Sequence, residues 1–303
     1  MAEILCTRSL SRRPLAFTSR RDFGGNVGVV ASKLECVGLA TDSPTEFRAF
    51  VDELWARAVP IGSTSAVHVR RFQDPSGARM VISRNAGGEL VDLIASYAGQ
   101  PGVLFGAVAA LNYRVAIASV VDQTGEQLTS MACELEQRHL LPGRQTPVSG
   151  AASVVAFGVD VSVHADIDAF AISDASLLGP PGQDSTKAPT HFVKNGWPWP
   201  PRVAPESFIS DGVFAAPGAA DADAKMAGTV LRAEKHRTEA TGQSFVVARL
   251  RTAGFEVDIC MPATENDEPP VVGQVIAGTV SLVASIDSAF RAPSFLSRLR
   301  HRR

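Results

Sequence analysis

The sequence predicts an α+β fold assembled from short β-rich units, and three observations carry that expectation. One segment places apolar residues at helical spacing, several others alternate apolar and polar side chains, and turn tetrads rich in Gly, Pro, Asp and Ser separate these runs. With 303 residues and 45% apolar content, the chain can fill a well-buried core and most naturally forms two compact units.

Residues 34–40 are an apolar run that reads as a strand. Asp42 or Ser43 is then placed to cap a helix, with Pro44 in its first turn, where a missing amide hydrogen costs nothing. Phe47, Phe50, Val51, Leu54 and Trp55 share one face of that helix, opposite Arg48, Asp52, Glu53 and Arg57. Alternation follows, with Val67 and Val69 on one side and His68, Arg70 and Phe72 on the other. The tetrad Asp74-Pro75-Ser76-Gly77 leads into a second run, so the pair reads as a β-hairpin. Beyond Gly87-Gly88, the spacing of Leu90, Leu93, Ile94 and Tyr97 fits one face of a short helix.

Residues 103–141 are strand-like, with Asp122-Gln123-Thr124-Gly125 as a hairpin turn, and 153–173 alternate Val159, Val161 and Val163 against Asp160, Ser162 and His164. Seven prolines then crowd residues 179–205, which cannot sit in a central sheet. Four further strands, 228–237, 244–252, 255–262 and 274–285, suggest a small β-barrel of oligonucleotide-binding (OB-like) strand spacing. The expected organisation is a basic flexible segment at 1–33, an α+β domain at 34–178, a Pro-rich connector at 179–205, a β-barrel-like domain at 206–290 and a basic tail at 291–303. No internal repeat is legible.

Residues 34–97 resemble the βαβββ module of the vicinal oxygen chelate superfamily, which includes glyoxalases, bleomycin-resistance proteins and extradiol dioxygenases. The resemblance rests on Cys36-Val37-Gly38-Leu39-Ala40, the helix around Phe47-Arg48-Ala49-Phe50-Val51, and Asp74-Pro75-Ser76-Gly77 before a strand. Metal-using members carry a His before the Val-Gly or Ile-Gly pair and a Glu about four residues past the turn Gly; here those positions are Cys36 and Val81. Val81 cannot ligate a metal, so the resemblance implies a scaffold of the binding kind, without metal or cofactor. His68 and Glu89 are the candidate replacement ligands if the module is enzymatic.

Other chemistry is sparse. The net charge of -2 carries no excess of cations for a phosphate backbone. Cys6, Cys36, Cys133 and Cys260 lie far apart and read as reduced, buried thiols. No nucleophile elbow, phosphate loop or paired-His zinc motif is present. Asp160, Asp166, Asp168 and Asp174 would share one face of a continuous strand, but a break near Ala165 disperses them as solvated carboxylates. A tight hairpin at Ala253-Gly254 places Arg251 opposite Glu256 and Arg249 opposite Asp258, which cancels a basic stripe and argues against nucleic acid. Trp197 and Trp199, each followed by Pro, either present stacked indoles to a ligand or pin the connector to its own domain.

Ser19-Arg20-Arg21-Asp22-Phe23 resembles a twin-arginine export pattern, but Gly24, Gly25, Asn26 and Gly28 dilute the apolar core that should follow; the expectation is cytoplasmic, with no membrane segment. The leading functional expectation is a non-catalytic binding or interaction protein for an unknown protein or small-molecule partner. A small-molecule enzyme using the chelate-like module and a single-stranded nucleic-acid-binding barrel are the alternatives.

Overall fold

The computed structural model describes residues 31–141, 148–179 and 187–286, so Cys6, the twin-arginine segment and the tail at 291–303 lie outside the described residues. The helix falls where its pattern placed it. α1 (Pro44–Arg57) starts at Ser43, whose hydroxyl accepts the Glu46 N–H at 3.2 Å, and buries Val51 and Leu54.

Four strands, β1 (Val59–Ser63), β2 (Val67–Gln73), β3 (Ala78–Asn85) and β4 (Leu90–Tyr97), form an antiparallel meander in that order. The β2–β3 turn is the predicted tetrad, with Gly77 at φ +92° and its N–H on the Asp74 carbonyl at 2.9 Å. Trp55 of α1 lies between the guanidinium groups of Arg70 on β2 and Arg84 on β3, at 4.7 and 5.0 Å from its ring centre.

Two expectations fail in this unit. Residues 34–40 form a 3-10 turn (Glu35–Val37) in place of a strand, because Ser32 and Glu35 cap each other reciprocally and Gly38, at φ +62°, returns its N–H to the Glu35 carbonyl. Residues 90–97 are strand β4 in place of a helix. Their helical spacing comes from burial on both strand faces at Ile94, Ala95 and Ser96, together with a register shift opposite Ser83 and Arg84. The unit is therefore α-β-β-β-β, without the first strand of the expected βαβββ order.

The larger sheet has nine strands: β5 (Val103–Ala110), β6 (Val115–Val121), β7 (Gln127–Leu135), β8 (Val148–His164), β9 (Ser207–Ser210), β10 (Asp223–Arg237), β11 (Ser244–Thr252), β12 (Phe255–Pro262) and β13 (Val275–Ser285). Its ladders run in two closed circuits that share the long antiparallel pair β8–β13. In one, the meander β5–β6–β7 joins β8 antiparallel through β5 and β13 parallel through β7. In the other, the meander β10–β11–β12 joins β13 antiparallel through β10 and β8 parallel through β12.

The pairing pattern thus occurs twice, with β8 and β13 exchanging roles. The four C-terminal strands do not close on themselves, since β12 reaches β13 only through β8, which precedes the Pro-rich connector. One apolar cluster, from Phe105 and Met131 to Leu250, Val257 and Leu282, fills both circuits. A second, including Leu39, Leu54, Met80, Phe157 and Phe245, seats the meander β1–β4 against β8, β11 and β12.

The connector departs from β8 through α2 (Ile167–Ile172) and contains α3 (Thr190–Asn195). Its two ends meet: the Leu178 N–H donates to Pro201 at 2.9 Å and the Val203 N–H to Ser176 at 2.7 Å. It is therefore a strap folded back on its own base. No helix among the described residues is long and apolar enough to cross a membrane.

Candidate functional site

The predicted metal positions do not converge. His68 is exposed on β2 opposite Arg84, while Glu89 is exposed in the β3–β4 turn, where its carboxylate accepts the Asn85 amide at 2.9 Å. Cys36 is sealed against β8, its Sγ 3.8 Å from the Gly158 carbonyl oxygen, and Val81 is buried on β3. Burial, with a smaller push from the Glu35 carboxylate, raises the Cys36 thiol to about 12. Among the described residues no group of three or more His, Cys, Asp or Glu could hold a metal ion.

The four aspartates separate as the break in the pattern required. Asp160 pairs across to Thr279 on β13, Asp166 caps α2 by accepting the Ala169 N–H at 2.7 Å, Asp168 lies in the first turn of α2, and Asp174 opens a 3-10 turn. A shallow open groove of about 360 Å³ runs between Pro101–Leu104 and Val121–Gln123, with Asp122 as the one ionisable group lining it. A lone carboxylate there, already accepting N–H groups from Thr124 and Glu126 in its own turn, is not an acid–base pair.

The densest polar chemistry is buried between the meander and the end of β7, and sequence reading missed it. Glu136, fully enclosed, accepts hydrogen bonds from Arg71 at 2.9 Å, Arg79 at 3.4 Å and Ser96 Oγ at 2.5 Å. Beside it, Asp92 takes Arg138 Nε at 2.6 Å and His139 Nε2 at 2.8 Å. Burial alone would raise the Asp92 carboxyl, but the hydrogen bonds and charge of His139 and Arg138 outweigh it and hold it below the usual range. Each carboxylate is saturated by fixed partners, the arrangement of a structural latch. No sequence motif could have found it, because the partners come from β2, β3, β4 and the chain just past β7.

The aromatic strap is the remaining candidate, and here the indoles do come together. Gly196, at φ +65°, ends α3 and turns the chain so that the Trp197 N–H reaches the Phe192 carbonyl at 3.0 Å. Phe192 then stands edge-on to both indoles, 5.7 Å from Trp197 and 5.0 Å from Trp199. Trp199 is half-buried, whereas Trp197 remains 55% exposed and its neighbour Val193 67% exposed. Of the sequence-predicted site residues, only Trp197 and Trp199 are thus brought to one place.

The predicted β11–β12 register is the observed one, Arg249 opposite Asp258 and Arg251 opposite Glu256. Arg249 pairs with both Glu256 and Asp258, while Arg251 reaches instead to Glu206 at 2.8 Å. No family model matches the chain, and no curated protein or solved structure matches it.

Proposed function

We propose that this chain is a non-catalytic interaction protein that presents an aromatic contact on its strap. The observation that carries the reading is Trp197, a large apolar ring left half exposed yet fixed in orientation by Phe192. Holding such a ring in place lowers the ordering entropy a partner would otherwise have to overcome, and Trp is among the residues that dominate binding interfaces. The buried charges support the same reading, since Glu136, Asp92 and Arg249 are each committed to internal partners. A broad metabolite turnover screen on the full chain is expected to find no activity. Turnover abolished by one substitution lining a single groove would sink the reading.

A second reading, binding of single-stranded nucleic acid, is favoured by strand order. The circuit β5–β6–β7–β13–β8 has five strands, the number in an oligonucleotide-binding barrel, and this supports the reading. Against it stand the carboxylates paired with Arg249 and Arg251. Oligonucleotide affinity that stays constant as salt is raised would exclude backbone recognition.

A further inference from the structure

We infer that the tip of the strap, α3 with Trp197 and Trp199, docks onto the headgroup layer of an anionic lipid surface. This inference rests on the interaction-protein reading and names the partner that the aromatic contact meets.

The first observation is that the rings form one surface that the core does not use. The ring centre of Phe192 lies 4.8 Å from that of His191, 5.7 Å from Trp197 and 5.0 Å from Trp199, so the four side chains are continuous. The C-terminal turn of α3 holds them: the Gly196 N–H returns to Val193, the Trp197 N–H to Phe192, and Asn195 Nδ2 donates to the His191 carbonyl at 2.8 Å. Among the described residues none from 187 to 200 joins an apolar cluster of the core, and from 190 to 198 every residue except Phe192 is exposed. Such a segment encloses nothing itself, whereas a fluid headgroup layer closes around it.

The second observation is the sign of the charge. Residues 185–205 carry Lys187, Lys194 and Arg202 and no Asp or Glu. Arg202 is spent at the base of the strap, where it donates to Ser173 at 2.6 Å. Lys187 and Lys194 are exposed and make no ion pair or hydrogen bond among the described residues. Asp166, Asp168 and Asp174 give the base the opposite sign, so an anionic surface meets the tip alone.

The third observation is the chemistry of the segment itself. Indoles favour the boundary between headgroups and acyl chains, and Trp197 Nε1 makes no hydrogen bond among the described residues, which leaves it for a headgroup oxygen. Pro198, Pro200 and Pro201 bring no amide hydrogen that would need a partner there. Phe192 meets both indoles edge-on, at 83° and 73°, which breaks the parallel stack that successive bases would need. Contact of this kind lies on a bilayer and needs no spanning helix.

The test mixes the full chain with phosphatidylcholine vesicles, with or without phosphatidylserine, and follows sedimentation and quenching of tryptophan emission by brominated acyl chains. Binding and quenching on the phosphatidylserine vesicles are expected, weakened about tenfold by Trp197→Ala. Lys187→Glu with Lys194→Glu should remove the preference for phosphatidylserine. Arg48→Glu with Arg232→Glu changes the net charge equally at exposed positions elsewhere and should leave binding unchanged. All these side chains are exposed, so the variants should keep the parent melting temperature.

Vesicle binding that survives both Trp197→Ala and the double lysine variant overturns the proposal, since the basic termini would then carry it. So does equal loss in the Arg48 and Arg232 variant, or preference for an oligonucleotide or an acidic peptide over the vesicles. Absence of vesicle binding overturns this partner and leaves the interaction-protein reading standing, because that reading falls only to turnover in the metabolite screen.

Discussion

Glu136→Gln is expected to destabilise the protein by about 3 kcal/mol. The carboxylate is fully enclosed and carries the charge for two guanidinium groups and a hydroxyl, all within 3.4 Å. Glutamine keeps one acceptor but replaces the second oxygen with a donor, which turns toward an arginine or toward Ser96. Breaking a buried ion pair from one side costs about 3–5 kcal/mol, and the lower end applies because Arg71 and Arg79 retain slight access to water, 15% and 12% exposed.

For a domain of this size that loss corresponds to a fall of about 6–12 °C in Tm. The assay is urea unfolding followed by far-UV circular dichroism, with Arg71→Ala and the double variant completing a cycle. A coupling of about 1 kcal/mol or more is expected between two groups in direct contact. A Glu136→Gln variant within about 0.5 kcal/mol of the parent would refute the reasoning, since surface substitutions have effects of that size.

Three further predictions follow from the same geometry. Asp74 and Asp92 are both held below the usual carboxylate range: at Asp74, burial is outweighed by hydrogen bonds from Ser76 and from the Ala240 and Glu239 N–H groups. A lowered folded-state value contributes stability that is present above the unfolded value of about 3.9 and is lost as pH falls through the folded value. Tm should therefore drop steeply below about pH 4, and the drop should be shallower in Asp74→Asn; identical profiles would contradict it. Gly278→Ala should abolish stable folding or cost more than about 2 kcal/mol, because φ is +147° and the added methyl would lie 2.2 Å from the Asp160 carbonyl oxygen, judged by soluble yield and melting temperature. Burial raises the thiols of Cys36 and Cys133 to about 12, so both should resist a thiol reagent in the native protein and react at once in denaturant.

What was legible in the sequence was local. The Ser43 cap, the apolar face of α1, the Asp74-Pro75-Ser76-Gly77 turn and the β11–β12 register each involve residues within one turn or one hairpin, where backbone geometry couples neighbours directly. The same local logic failed at 34–40, where an apolar run fits a strand or a tight turn and the Ser32–Glu35 capping pair decides between them. It failed at 90–97 because burial on both faces of a strand mimics helical periodicity.

At the candidate site the sequence singled out Trp197 and Trp199, and the structure adds Phe192 as the ring between them. Sequence also marked the break near Ala165 that scatters the aspartates. His68 and Glu89 drew attention only as ligand-type residues that could replace Cys36 and Val81, and residue type alone could not show that Arg84 lies opposite one and Asn85 holds the other.

By itself, then, the sequence determined α1 with its Ser43 cap, the β2–β3 and β6–β7 turns and the pairing of β11 with β12. Tertiary structure alone decided that β8 and β13 serve two circuits at once and that Glu136 meets arginines 65 and 57 residues away. The reason is physical. Period-two alternation records which face of a strand is buried, whereas the ladder bonds that choose its neighbours are made by backbone groups that nearly every residue carries alike.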